Sequence, residues 1–96
     1  FFIPYKSKID GRVHRYFPDF LIKVKNVEGI VETILIEVKP FYQTQPPEKK
    51  SKVTKRFINE VKTYGINISK WEAAEEYCKD RGWKFMILTE KELGLD

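Results

Sequence analysis

A chain of 96 residues is one small domain by length, with room for one thin core. With 42% hydrophobic and 15% aromatic residues, it is too apolar for a disordered segment. The net charge of +4 favours a polyanionic partner such as nucleic acid without proving one. Cys78 is the only cysteine, which excludes an intrachain disulfide or a cysteine zinc site and fits a reducing compartment. No signal peptide and no membrane-spanning apolar run is present. The opening Phe1-Phe2-Ile3-Pro4 reads as the middle of a strand, so further residues are expected ahead of it.

Phe1 to Tyr5 is predicted to be a strand. Asp10-Gly11 marks a hairpin turn, since both residues tolerate positive φ. Arg12 to Phe17 returns as a second strand, and Pro18 then breaks the ladder because it has no N–H to donate. Asp19 opens a third strand that continues over Phe20 to Lys25. After the Asn26–Gly29 turn, Ile30 to Lys39 forms a long fourth strand. Its Ile34-Leu35-Ile36 centre is apolar on both faces, the mark of a central strand. Phe41 to Lys52 is a loop, with regular structure excluded at Pro46-Pro47. A helix is expected from about Lys50–Val53, with an apolar stripe of Val53, Phe57, Val61 and Tyr64, ending at Gly65. Ser69 and Glu72 look like a capping box that starts a second helix running to Arg81, and Gly82 ends it. Trp83 to Leu88 is a last strand, and Thr89 to Leu93 adds a helical turn. The order β-β-β-β-α-α-β predicts an α+β domain: a mixed central sheet with an antiparallel meander, flanked by helices.

The residues that carry chemistry are Asp19, directly after Pro18, and Glu37-Val38-Lys39 eighteen residues later. Glu37 and Lys39 stand at i and i+2 of one strand and so share a face. Asp19 opens the neighbouring strand, so two carboxylates and an ammonium can converge at one sheet edge. Carboxylates suit Mg²⁺, a hard cation that keeps several waters. One such water can become a nucleophile while the cation offsets charge on a phosphate. A Glu-x-Lys pair on a strand is ordinarily a solvated face with a weak ion pair, and Pro-Asp is ordinarily a turn. Here the pair ends the most apolar strand, and a basic loop follows it.

These residues resemble the PD-(D/E)xK nuclease superfamily, whose restriction-endonuclease-like core has the same strand order. A longer string is similar to the head completion nucleases of large tailed phages. It comprises Ile3-Pro4-Tyr5, Ile9-Asp10-Gly11, His14 to Phe20, Leu35 to Pro40 and Gln43 to Pro47. Transposon-encoded nuclease subunits share the Tyr-x-Pro-Asp-Phe and Glu-Val-Lys parts. The resemblance implies that Asp19 and Glu37 are metal ligands, that Val38 offers its backbone carbonyl to the same metal, and that Lys39 is the catalytic lysine. It also implies a further acidic residue on a helix ahead of the first strand, so residues 1–96 are expected to be a single nuclease core lacking that helix.

Weaker candidates surround this set. His14 and Arg15 could contact phosphate, though a His on a strand face is more often structural. Tyr42 and Gln43 follow the catalytic strand and could shape the site. Lys49, Lys50, Lys52, Lys55 and Arg56 form a basic run, usually a solvated face but here close in sequence to the site. Trp71, Trp83 and Cys78 read as core. The sequence thus predicts an endonuclease using Mg²⁺ or Mn²⁺ on DNA. The resemblance adds a role in processing DNA ends during phage head completion, phage head proteins as partners, and a location in the host cytoplasm or virion. The competing reading is a non-catalytic DNA-binding or virion-assembly module that retains the nuclease fold.

Overall fold

A computed structural model describes residues 1–49 and 51–95. Strands β1 (Ile3–Lys6) and β2 (Val13–Tyr16) form an antiparallel hairpin. Gly11, with φ +70°, turns the chain between them. Strand β3 (Phe20–Lys25) pairs antiparallel with β4 (Val31–Val38). On its other side β4 pairs in parallel with β5 (Lys84–Leu88). The connection from β4 to β5 contains one helix, α1 (Lys55–Arg81), and a short 3-10 turn over Phe41–Thr44.

The α+β class holds, but its layout differs from the sequence reading. Two small sheets form rather than one. Phe17 and Pro18 separate β2 from β3, and Pro18 cannot extend the ladder, so the hairpin leaves the three-stranded sheet. It packs instead with α1.

The two predicted helices are one helix of 27 residues. Gly65 ends a helix only by adopting a left-handed φ, and it does not; Gly82, at φ +70°, does. Gly65 serves a close approach instead. A Cβ there would meet Ile9 Cδ1 at 2.7 Å, so the missing side chain admits the β1–β2 loop against the helix. Ser69 does not cap a helix either. Its hydroxyl donates to the Gly65 carbonyl at 2.9 Å and accepts from the Lys8 amide at 3.0 Å. The actual N-cap is Thr54, whose side chain accepts from the Phe57 amide.

The core lies where β1, β2, β4 and the C-terminal half of α1 meet. Ile3, Tyr5, Tyr16, Leu35, Ala74 and Cys78 are buried together there. Trp71 is also buried on that half of α1, and Trp83 packs at the margin, as expected. The apolar stripe expected over Val53–Tyr64 does not form a core: Val53 and Val61 are exposed. The sheet is covered on the side of Leu35. Its other side shows Phe20, Ile22, Val38 and Met86 to solvent, and the described residues form a slab with principal extents of 54 × 35 × 16 Å. Helices on both flanks are therefore absent among the described residues.

Candidate active site

Alternation along β4 puts Leu35 and Glu37 on the covered face of the sheet. Lys39, just past the strand, keeps the ladder through its amide, which donates to the Leu88 carbonyl at 3.0 Å. The Lys39 ammonium lies 3.6 Å from Glu37 Oε1. Glu37 is only 6% exposed, so this carboxylate is held out of bulk water. A charge in that position needs polar partners, and Glu37 has a second one. The Tyr16 hydroxyl donates to Glu37 Oε2 at 2.7 Å. Burial, and then the bond to Glu37, holds the Tyr16 phenol far above its ordinary pKa, so it stays a donor.

Asp19 precedes β3, and continuing the β3–β4 register by one residue sets it opposite Glu37. Asp19 Oδ2 accepts from the Val38 amide at 2.8 Å. The carboxylate is thereby tied to the peptide between Glu37 and Lys39. Asp19 is exposed, unlike Glu37. All the donors of this set are hard oxygens, which fits a divalent cation such as Mg²⁺ that retains waters. Among the described residues no group of three or more His, Cys, Asp or Glu side chains could hold a metal ion.

Two contacts lay beyond the sequence reading. One is Tyr16, which gives no signal but its place in the Tyr-x-Pro-Asp string. The other is Glu90, whose carboxylate accepts from the Phe41 amide at 2.6 Å and so anchors the chain just after Lys39.

The comparisons with known proteins cover most of the chain. The family described as TnsA-like endonuclease N terminal matches residues 1–90. This chain belongs to that family. The chain is also similar to the head completion nuclease of Enterobacteria phage T4, at 44% identity over 92 residues. That match takes in 92% of the chain but only 59% of the relative's length. No solved structure matches it.

Within this TnsA-like chain the other candidates are dispersed. His14 pairs with Asp10 at 2.7 Å and stacks on Tyr5, so it braces the hairpin turn. Arg15 points to the opposite face of the hairpin from Tyr16 and lies over the Phe2 ring at 4.9 Å. Gln43 sits in the 3-10 turn and donates to the Tyr42 hydroxyl at 3.0 Å. Lys49 and Lys52 are exposed ahead of α1, while Lys50 lies outside the described residues. Val38 offers its amide to Asp19. Among the described residues no helix is long and apolar enough to cross a membrane.

Proposed function

We propose that the full protein is a metal-dependent DNA endonuclease with Asp19, Glu37 and Lys39 as its active site. The observation that carries this reading is the bond from the Val38 amide to Asp19, which joins the aspartate to the Glu37–Lys39 pair. Asp19 and Glu37 would hold Mg²⁺ or Mn²⁺, with the Val38 carbonyl as a further ligand. When bound, such a cation lowers the pKa of a coordinated water and offsets charge on the phosphate. Lys39 is 29% exposed at its side chain, so its ammonium can reach a phosphate oxygen or the attacking water. Tyr16 fixes the orientation of Glu37 from the buried side.

The similarity to a head completion nuclease supports a role in processing DNA ends as phage heads are finished. DNA and phage head proteins are then the partners, in the host cytoplasm or the virion. Lys49, Lys50 and Lys52 would meet phosphates non-specifically. His14 and Arg15 are less suited to that task, given their contacts within the hairpin. The test is cleavage of plasmid and linear DNA by the full-length protein with Mg²⁺ and with Mn²⁺. Cleavage that disappears in Asp19→Asn is the expected result. A full-length protein that binds DNA and never cuts it with either metal would make the domain a binding or assembly module.

A further inference from the structure

A cleft of about 950 Å³ runs between the loop after β4 and the N-terminal half of α1. Each of its walls has a residue close along the chain to a group at the site. Phe41, on one wall, is two residues from Lys39. Asn67, on the other, is one helical turn from Lys70, whose ammonium lies 5.7 Å from the ring of Tyr16, the partner of Glu37. The lining chemistry is unusual for a phosphate groove. Among the described residues its charged side chains are Arg56, Glu48 and Glu60, a balance of −1 by subtraction, and Arg56 is already paired with Glu60 at 3.3 Å. A track for the sugar–phosphate backbone needs net positive charge.

What the cleft offers instead is aromatic rings and amides. Tyr42 and Tyr64 supply flat surfaces, while the Phe41 ring already carries the Lys91 ammonium at 4.0 Å, and Gln43, Asn59 and Asn67 supply amide donors and acceptors. Aromatic faces stack on bases irrespective of sequence, and amides match base edges. The faces of a base and its Watson–Crick edge are hidden inside a duplex and exposed only when the base is unpaired. The volume is at the upper end for small-molecule sites and suits roughly one or two nucleotides rather than a helix.

We propose that this cleft binds unpaired nucleotides of the DNA substrate next to the cut, so that the enzyme favours frayed, overhanging or branched DNA over intact duplex. This rests on the DNA endonuclease reading, and it adds the class of DNA structure recognised. The test is direct binding without metal, so that no cleavage occurs. Fluorescence anisotropy on the full-length protein would compare a labelled short oligothymidine with a blunt hairpin duplex. The parent should hold both, and Tyr42→Ala and Tyr64→Ala should each lower affinity for oligothymidine at least about fivefold. Their affinity for the blunt duplex should change less than about twofold. Tyr42 is 73% exposed, so its variant stays folded even if Tyr64→Ala does not, and melting curves would check both. Unchanged oligothymidine binding in the Tyr42 variant, or equal losses on both DNAs, would overturn the proposal and leave the cleft to another occupant, such as a further part of a longer chain. Either failure would leave the nuclease reading standing, because that reading depends on cleavage and this one does not.

Discussion

Leu35 and Glu37 are two residues apart on one face of β4, both nearly sealed from solvent, and they do opposite things to the domain. Leu35 is 0% exposed and lies among Ile3, Tyr5, Ala74 and Cys78, where burial of apolar area stabilises the fold. Glu37, at 6%, buries a carboxylate, which costs several kcal/mol of hydration before partners return part of it. Tyr16 touches both environments: its ring belongs to the core with Leu35, and its hydroxyl holds Glu37. Equal burial therefore carries no fixed sign of stability. A charge kept in such a place, with a lysine beside it, is the kind of local sacrifice found where chemistry is done.

The sharpest way to break this comparison is to truncate each residue. Glu37→Ala should lower DNA cleavage by the full-length protein by about 10³-fold or more, as should Asp19→Asn, with divalent-metal binding lost by calorimetric titration. Its melting temperature should fall less than that of Leu35→Ala, because the cost of burying the carboxylate disappears while the Tyr16 hydroxyl loses its acceptor. Leu35→Ala should do the reverse, costing about 2–5 kcal/mol and lowering the melting temperature by roughly 10 °C or more. Cleavage by that variant should persist well below its melting point. If Glu37→Ala melts as low as Leu35→Ala, the carboxylate is a structural element and the contrast fails.

Lys39→Ala sharpens the polar half of the comparison. It should reduce cleavage by about 10²-fold while metal titration is spared, since an ammonium ligates nothing. Parent-like cutting would remove Lys39 from the chemistry without touching the family assignment. Tyr16→Phe then probes the residue that joins the two environments. The ring remains, so the core should hold, but Glu37 loses a donor, and stability should fall by about 1–3 kcal/mol. Affinity for Mg²⁺ should fall by roughly 10–100-fold, because a support of a ligand has been removed. Unaltered titration would confine Tyr16 to packing.

The smallest effect belongs to an exposed carboxylate, Asp10, the counterpart of buried Glu37. The Arg12 amide, and then His14, hold its carboxyl below the usual pKa. Its stabilising contribution is present above the unfolded value of about 4 and fades as pH falls through the lower folded value. Melting temperatures measured from neutral pH downward should drop less steeply in Asp10→Asn than in the parent. Parallel curves would show that the turn needs no charge at that position.

The elements mostly follow from local patterns. The Asp10-Gly11 turn, the break at Pro18, the apolar run of β4 and the stop at Gly82 are set by φ preference, a missing donor and periodicity, all of which act within a few residues. The spacing of Asp19, Glu37 and Lys39 was equally legible, because strand alternation and a hairpin register are local rules, and the register brings the three to one end of β3 and β4. The local signals at Gly65 and Ser69 misled. A glycine and a capping box read as a helix break, yet Gly65 is there to admit Ile9, and Ser69 binds Lys8, contacts made across the chain. The Tyr16 hydroxyl on Glu37 and the Glu90 carboxylate under Phe41 were likewise decided only by packing. Sequence alone determined which segments extend and which residues could share a face, because those depend on neighbours along the backbone. The tertiary structure decided how long the helix runs and what holds the buried glutamate, because both depend on side chains that meet only after the chain has folded.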